Sequence, residues 1–438
     1  MPLPNVEYMQ WAKTGAPWTK PGLLNCSTSG IYELRKTYRD LFGEMPSDLS
    51  LTGSGDAYGH PELKAAIAFR YDVLPANVYN ANGASMANFV AIAGLINRGD
   101  SVLIEHPVYD PIPAAANALG ARIVHFERHE SAHWQIDIDN LAQLARSEDA
   151  RLIILTNPYN PGATWTSDND LIRLADIVGD DTIILVDEVY REWGENEAGQ
   201  TVATKRPNLV ATSSLTKVWG LSRLRAGWVI ADERLIHDIS RAFDAIGAVG
   251  PSPIDSISAR LIADDKLMAK LRDESIAEIT AGRKLVEQWL AHDDRFDARI
   301  HPGSGFTILR CVNLDLFRAP DGSASRDNQP ADQSAHAHDI HVVDNQPSDQ
   351  SAHAHDIHVV DDQPSDRPRP LADTGTFGDT KPGLRDNPGH PSLHNWLLNE
   401  HNILATPGRF FDLPTTHVRF CWTQGVEVVE QAIRKLST

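Results

Sequence analysis

The sequence predicts an α/β protein whose mostly parallel sheet lies between layers of helices. Between about residues 60 and 290, short apolar runs alternate with segments in which apolar residues recur at helical spacing. The runs are rich in β-branched residues and are apolar at consecutive positions, as expected for strands that are buried on both faces. We predict strands at 100–106, 121–127, 151–157, 182–188, 208–214 and 226–232.

Helical segments occupy the spaces between these strands, at 86–100, 110–120 and 167–180, and glycine provides stop signals for them. Residues 254–292 predict a long helical stretch. The chain beyond it indicates a second, smaller α+β domain. Its predicted elements are strands at 305–317 and 416–422 and a helix at 392–402.

The composition is that of an ordinary globular protein of 438 residues, with 42% hydrophobic and 23% charged residues. The formal net charge of −19 makes nucleic acid and anionic membranes unfavourable partners. No window approaches the roughly 20 apolar residues that a membrane span needs, and the N-terminus lacks the apolar core of a signal peptide. Three scattered cysteines, Cys26, Cys311 and Cys421, indicate a reduced compartment, so we expect a cytoplasmic protein.

One segment differs in composition from the rest. Residues 327–343 recur almost unchanged at 344–360, and a third copy begins at 361. We interpret residues from about 319 to 390 as an exposed low-complexity insertion. The His-Ala-His-x-x-His stretch in each copy could capture a metal, but nothing in the pattern fixes its geometry, so we expect no metal site.

Lys217 is the first residue that indicates chemistry. It follows the predicted strand 208–214 among small and apolar neighbours, and Arg225 comes eight residues later. A desolvated lysine close to a second cation loses proton affinity and becomes a nucleophile towards carbonyl groups. We therefore expect Schiff-base chemistry at Lys217, with Ser214 and Arg225 holding an anionic group of the carbonyl partner. The alternative is a solvated surface lysine.

Other polar residues also follow predicted strands, where the ligands of parallel sheets gather. Asp187 ends an apolar strand, which is costly unless the carboxylate is paired. It could cap a helix or pair with an arginine, or it could keep a heterocyclic nitrogen protonated while Tyr190 donates to a hydroxyl oxygen of the same ring. Asn160 lies in a rigid, proline-rich turn, and Tyr109 could stack on a flat ring.

The segment NGASMANF at 82–89 opens a predicted helix whose N-terminal amides would suit a phosphate. Each of these features is weak alone. Together they predict a ligand that is a phosphorylated aromatic aldehyde with a ring nitrogen and a ring hydroxyl. Pyridoxal phosphate has all of these features.

The same residues give the chain a resemblance to the class I/II aminotransferases, the large fold-type I group of pyridoxal-phosphate enzymes. The motifs are Asn-Pro-x-Asn-Pro at 157–161, Asp-x-x-Tyr at 187–190, and Ser-x-x-Lys at 214–217 with Arg225 eight residues after the lysine. The resemblance implies a transferase-like fold that binds pyridoxal phosphate. In that fold a large domain contains a mostly parallel seven-stranded sheet between helices, and a smaller α+β domain accompanies it.

The resemblance covers about residues 20–318 and 391–435. On this basis we expect residues 1–45 to join the small domain and residues 46–290 to form the large cofactor-binding domain. Residues 291–438 would form the small domain, interrupted by the insertion.

The resemblance also implies a role for each site residue. Lys217 would form the Schiff base and later shuttle a proton, and Asp187 would pair with the ring nitrogen. Arg419, in the segment THVRFCW, would grip the substrate α-carboxylate beside Asn160; the alternative for Arg419 is a surface strand arginine. The remaining contacts would be Tyr190 and Asn160 at the ring hydroxyl, Tyr109 stacked on the ring, and Ser85, Met86, Ser214, Arg225 and the neighbouring subunit's Tyr58 at the phosphate.

The implied activity is ping-pong transfer of an amino group between an amino acid and a 2-oxo acid, in a homodimer with shared active sites. Carbon–sulfur lyases, decarboxylases and amino-acid cyclases of the same group use the same residues, and a cofactor-sensing transcription regulator is a further alternative. The loop LNCSTSGIYEL at 24–34 departs from the family pattern. The amino donor and acceptor therefore stay open.

Overall fold

The computed structural model describes residues 4–31, 36–44, 58–247, 252–313, 316 and 392–437. The chain divides into two compact units, one formed by residues 1–318 and 384–438 and the other by residues 319–383. The predicted insertion at about 319–390, with both histidine-rich copies, lies outside the described residues. Every element below belongs to the first unit.

The described strands are short and mostly buried. In chain order they are β1 (Leu24–Cys26), β2 (Val78–Asn82), β3 (Ser101–His106), β4 (Arg122–Glu127), β5 (Ala150–Thr156), β6 (Ile183–Asp187), β7 (Leu209–Ser214), β8 (Ala226–Ile230), β9 (Phe296–Asp297), β10 (Phe306–Cys311), β11 (Ile403–Pro407) and β12 (His417–Cys421).

The described α-helices lie between these strands. They are α1 (Glu7–Gln10), α2 (Tyr38–Phe42), α3 (Pro61–Tyr71), α4 (Ala84–Leu95), α5 (Pro111–Ala118), α6 (Ile138–Ser147), α7 (Asp168–Val178), α8 (Glu233–Ala242), α9 (Ser252–Ala263), α10 (Asp265–Leu290), α11 (Leu393–Glu400) and α12 (Val426–Leu436).

A seven-stranded sheet in the order β2-β8-β7-β6-β5-β3-β4 forms the centre of the molecule. The strands from β3 to β7 pair in parallel, whereas β8 runs antiparallel to both β7 and β2. The predicted mostly parallel seven-stranded sheet is therefore confirmed. The sequence prediction missed β2, because its sequence Val-Tyr-Asn-Ala-Asn contains two polar residues and lacks a continuous apolar run.

Helices cover both faces of this sheet. Residues of α4, α5 and α8 form an apolar core with one face, and residues of α6 and α7 form a separate core with the other. Because both faces are buried, the inner strands are apolar at consecutive positions, which is the pattern that predicted them. Because β3 to β7 run in parallel, their carboxyl ends lie together at one end of the sheet.

A smaller sheet in the order β1-β11-β12-β10-β9 lies in the C-terminal part of the unit and includes one N-terminal strand. β1 pairs in parallel with β11, and β12 pairs antiparallel with β10 and β11. The predicted helical stretch at 254–292 consists of two helices, α9 and α10. They are separated at Asp264, which caps the second one by accepting a hydrogen bond from Leu267 N at 3.0 Å.

Candidate active site

The candidate site lies at the edge of the large sheet where its parallel strands end. Asp187 is the last residue of β6, Ser214 is the last residue of β7, and Lys217 follows shortly after. Arg419 comes from β12 of the smaller sheet. Its Nη1 donates to Oδ1 of Asn160, in the loop after β5, at 3.0 Å. Residues far apart in the sequence therefore meet at one place.

The ε-amine of Lys217 lies among aromatic and hydroxyl groups. Nζ donates to Ser29 Oγ at 3.1 Å and lies 5.8 Å from the ring centroid of Tyr190. Burial lowers the pKa of Lys217, and the charge of the Arg419 guanidinium lowers it further. The neutral, nucleophilic amine is therefore favoured relative to that of an exposed lysine.

The cation that lowers the pKa of Lys217 is thus Arg419. The sequence had suggested Arg225 for this role. Arg225 has a φ of 50°, in the left-handed region, and its side chain turns away towards the start of α4. There its Nη2 donates to Asn82 O at 3.3 Å. Lys217 and Arg225 are close in sequence, but the left-handed backbone at Arg225 directs its guanidinium away from the amine.

Arg225 instead lies at a helix N-terminus. A Cβ on Gly83, the residue before α4, would stand 2.2 Å from Arg225 Nη2, and Gly83 has a φ of 82°. No side chain among the described residues caps α4, whose first turn contains Ser85 and Met86. Helix N-terminal amides and an exposed guanidinium therefore converge on one spot.

Ser214 belongs to the same neighbourhood. It pairs with Gly227 across β7 and β8, and a Cβ on Gly227 would stand 2.4 Å from the carbonyl carbon of Gly83. Two glycines in contact thus bring the end of β7 to the start of α4. Backbone amides, a guanidinium and a hydroxyl are a suitable donor set for a phosphate.

Asp187 is a buried carboxylate with two hydrogen-bond donors. Asn88 Nδ2 donates to its Oδ2 at 2.7 Å, and Val189 N donates to its Oδ1 at 3.0 Å. Burial raises the pKa of Asp187, while these two hydrogen bonds and the charge of Lys217 oppose the rise. A cationic ring nitrogen would favour the ionised carboxylate further, so the site suits a protonated heterocycle.

Tyr190 provides a phenol beside this carboxylate. Its hydroxyl lies 2.7 Å from Ser29 Oγ, and its ring stacks on Trp193 at a centroid distance of 5.4 Å and contacts the edge of Phe306. Burial raises the pKa of Tyr190 to about 12, so the phenol keeps its proton near neutral pH. The amine, acid, phenol and phosphate site together fit pyridoxal phosphate.

Arg419 lies inside the protein, with 1% of its surface exposed, and is not a surface strand arginine. Besides the bond to Asn160, its Nη2 donates to Ser27 O at 3.1 Å and to Tyr8 OH and Thr406 Oγ1 at 3.3 Å. Its Nε is buried and has no hydrogen-bond partner among the described residues. The guanidinium is thus rigidly placed with a donor to spare, as a carboxylate-binding group requires.

A buried chain of polar contacts holds Asn160. Its backbone N–H donates to Thr156 Oγ1 at 2.8 Å, and Thr156 donates in turn through both its N–H and its hydroxyl to Glu105 Oε1. Glu105 Oε2 lies 2.8 Å from Arg128 Nη2, and both side chains are fully buried. Asn160 is therefore held on one side by this chain of contacts from the sheet and on the other by its hydrogen bond with Arg419.

The structure places the two remaining predicted tyrosines differently. Tyr109, in the loop after β3, is partly buried and contacts the edge of the Tyr8 ring at a centroid distance of 5.2 Å. Tyr58 is 47% exposed, and its hydroxyl donates to Asp244 Oδ2 at 3.4 Å. Tyr109 thus belongs to the aromatic wall of the site, whereas the contacts of Tyr58 do not join it to the other predicted residues.

Three residues of the site were not identified from the sequence. Ser29 bonds both Lys217 and Tyr190, Asn88 bonds Asp187, and Tyr8 bonds Arg419. Ser29 and Asn88 each lay within a segment quoted for another reason, and neither has a motif of its own. Their roles depend on contacts over about a hundred residues or more, which local patterns do not show.

A histidine at the end of β3 links the large sheet to the turn that follows β11. His106 Nδ1 lies 2.9 Å from Glu127 Oε2, and its Nε2 lies 3.0 Å from Asp412 Oδ2. Burial alone would lower the pKa of His106, but the hydrogen bonds to Asp412 and Glu127 raise it above its ordinary value. The imidazolium form therefore stabilises this connection.

Within the described part of the chain, no cluster of three or more His, Cys, Asp or Glu side chains is arranged to hold a metal ion. The described helices also include none with the length and apolar character of a membrane span.

Comparison with known proteins identifies relatives of this chain. A histidinol-phosphate aminotransferase from Chlorobaculum tepidum is 27% identical over 264 residues, which are 58% of this chain and 70% of that protein. Histidinol-phosphate aminotransferase 2 from Carboxydothermus hydrogenoformans is 31% identical over 186 residues, so that the match covers 41% of this chain and about half, 49%, of that protein. A solved PLP-dependent aminotransferase from Streptococcus suis superimposes with a TM-score of 0.73 at 20% identity, over 100% of this chain and 97% of its own.

The family model for aminotransferase class I and II matches residues 34–345, more than half of the chain. The solved neighbour confirms the predicted fold class. The family match confirms the predicted enzyme class and, with it, the pyridoxal-phosphate cofactor. The chain belongs to the class I and II aminotransferase family.

Proposed function

We propose that this site transfers an amino group between an amino acid and a 2-oxo acid in two half-reactions, with pyridoxal phosphate as the carrier. The observation that supports the proposal most strongly is the buried amine of Lys217, whose pKa is lowered and which lies beside Tyr190 and within the field of Asp187. A neutral amine at this position can both attack a carbonyl group and act as a base.

When bound, pyridoxal phosphate supplies an aldehyde that condenses with amines and a ring that stabilises negative charge on the substrate Cα. Asp187 would pair with the ring nitrogen, and the hydrogen bond from Asn88 orients the carboxylate and favours its ionised form. Tyr190 and Asn160 would donate to the ring oxygen, and Tyr109 would contact the ring face.

The phosphate would bind where the N-terminus of α4 meets Arg225. Ser85 and Met86 contribute backbone N–H groups of the first helical turn, and Ser214 contributes its hydroxyl. The close contact of Gly83 with Arg225 leaves no room for a side chain at position 83.

Lys217 would take the Cα proton of the substrate at Nζ and later return a proton. Since burial and Arg419 lower its pKa, a larger fraction of the amine is neutral near pH 7 than for an exposed lysine. Arg419 would bind the substrate α-carboxylate through its guanidinium. Its hydrogen bonds to Asn160 and Ser27 already fix the guanidinium, so little side-chain conformational entropy is lost when the substrate binds.

The two relatives reported above are named for histidinol phosphate. A guanidinium can bind a phosphate as readily as a carboxylate. We therefore propose an amino acid as the donor and treat histidinol phosphate as the compound to compare with it. Arg419 lies within 5.9 Å of the ring centroids of Tyr8, Phe306 and Phe411, so the carboxylate of the donor would bind beside aromatic rings.

We also propose a homodimer in which each Tyr58 reaches the phosphate of the other copy, and the cytoplasm as its compartment. The exposure of Tyr58 and its separation from the other site residues support the first proposal. The second is supported by the three buried cysteines, all of them free thiols.

A single half-reaction tests the proposed function. Protein loaded with pyridoxal phosphate is mixed with one amino acid at a time, and with histidinol phosphate, in the absence of any 2-oxo acid. Transfer predicts one equivalent of 2-oxo product per site, with the cofactor retained in its amine form. Repeated turnover with release of ammonia, CO2 or sulfide would show that the site catalyses a different reaction. The variant Lys217→Ala should be inactive, whereas Lys64→Ala, at a half-buried lysine on α3, should behave as the parent protein.

A further inference from the structure

The loop that follows β1 lies directly on Lys217. Ile31 N donates to Lys217 O at 3.2 Å, and a Cβ on Gly30 would stand 3.2 Å from Lys217 Cδ. Ser29 lies in the same loop, just before Gly30, and is buried with 2% of its surface exposed. This loop is the segment in which the sequence departs from the family pattern.

Ser29 Oγ lies between the two groups that carry the proposed chemistry. It is 3.1 Å from Lys217 Nζ and 2.7 Å from Tyr190 OH. A hydroxyl has one donor hydrogen and two acceptor sites. Ser29 can therefore accept from a Lys217 ammonium while donating to Tyr190, or donate to a neutral Lys217 amine while accepting from the Tyr190 phenol. It satisfies both protonation states of the lysine by rotating one hydrogen.

The position of Ser29 is fixed from the smaller sheet. Thr423 Oγ1 donates to Thr28 O at 2.5 Å, and Gln424 Nε2 donates to Gly30 O at 2.7 Å. Both donors follow β12, the strand that carries Arg419. The backbone on each side of Ser29 is thus tied to the strand that carries Arg419, and a hydroxyl held in this way can orient a flexible amine.

We propose that Ser29 is a positioning residue that holds the ε-amine of Lys217 on the line towards Tyr190 in both of its protonation states. The role rests on the proposed function, because it concerns the amine that the transfer reaction uses. Its competitor is a structural role in which Ser29 merely satisfies the buried hydroxyl of Tyr190.

The test compares Ser29→Ala and Ser29→Thr with a matched control, Ser275→Ala. Ser275 is fully buried and accepts from Trp193 Nε1 at 2.7 Å, so its removal disturbs the ring that stacks on Tyr190 without touching Lys217. The first readout uses the full-length protein freed of cofactor. The rate at which acetic anhydride acylates Lys217 is followed by peptide mass spectrometry from about pH 6 to pH 10.

Ser29 can bond both forms of the amine, but its bond to the charged ammonium is the stronger one. Ser29→Ala should therefore move the acylation profile of Lys217 to lower pH, whereas Ser29→Thr and Ser275→Ala should keep the parent profile. The second readout is the exchange of the substrate Cα hydrogen for deuterium in the loaded protein. We expect the alanine variant to slow it about tenfold or more, the equivalent of one charge-assisted hydrogen bond, and Ser29→Thr to restore it.

An acylation profile of Ser29→Ala that coincides with that of the parent protein would overturn the proposal, as would equal losses in Ser29→Ala and Ser275→Ala. The two proposals fail separately. If the parent protein catalyses no transfer, the proposed function is wrong, yet the acylation profile still decides whether Ser29 controls the amine. If transfer is normal and the profiles coincide, only the role of Ser29 is wrong.

Discussion

Replacement of Asn88 by alanine tests how the buried acid is kept ready for a cationic ring. Asn88 Nδ2 donates to Asp187 Oδ2 at 2.7 Å, and this contact opposes the rise that burial imposes on the pKa of the carboxyl. A hydrogen bond to a charged group contributes about 1.5–3 kcal/mol. Its loss should therefore weaken the binding of pyridoxal phosphate by about 10- to 150-fold.

The dissociation constant is measured by titrating cofactor-free protein with pyridoxal phosphate and following the visible absorbance of the bound form. Without Asn88 the carboxyl holds its proton to higher pH, so the loss of affinity should be larger at about pH 6 than at about pH 9. Thr212→Ala is the matched control, because Thr212 donates to Asn88 Oδ1 at 2.5 Å but does not contact the acid, and it should lose less. An unchanged dissociation constant in Asn88→Ala, or a loss independent of pH, would refute the reasoning.

Three further predictions concern other parts of the molecule. Arg419→Lys removes the planar guanidinium, so kcat/KM for amino acids should fall about 10- to 100-fold, while simple amines without a carboxylate lose little. Gly83→Ala places a methyl group against Arg225, and should raise the dissociation constant for the cofactor by about tenfold or more. The control is Gly179→Ala, since Gly179 also has a positive φ, 76°, but has nothing within 4 Å of the added carbon. It should lower the free energy of unfolding by the backbone cost of about 1–3 kcal/mol and leave the dissociation constant for the cofactor unchanged. His106 has a raised pKa, so its contribution to stability is present below its unfolded pKa and is lost as the pH rises through its folded pKa. His106→Gln should therefore lower the free energy of unfolding by about 1 kcal/mol at about pH 6 and by less at about pH 9 in chemical denaturation; an equal effect at both pH values contradicts the assignment.

The parts of the site that could be predicted from the sequence are those that follow parallel strands. Asp187, Ser214 and Lys217 each come at or just after an apolar run, and parallel strands bring their carboxyl ends to one edge of a sheet. The type of residue then indicates the chemistry. The edge strand β2 could not be predicted in this way, because a strand with only one neighbour need not be apolar throughout.

The parts that could not be predicted depend on contacts between distant segments. Ser29 reaches Lys217 across 188 positions, and Tyr8 reaches Arg419 across 411. The cation that acts on Lys217 could not be predicted for the same reason. Arg225 is close to Lys217 in sequence, but its left-handed backbone directs it to α4, and Arg419 supplies the charge near the amine instead.

The central claim is that the buried amine of Lys217 is the point at which pyridoxal phosphate is attached. Reduction of the loaded protein with borohydride, followed by peptide mass spectrometry, tests this claim most directly. We expect one reduced cofactor per chain, on Lys217, and none on Lys64, although burial lowers the pKa of that lysine as well. A cofactor trapped on Lys64 or on another lysine, or no trapped cofactor at all, would contradict the claim.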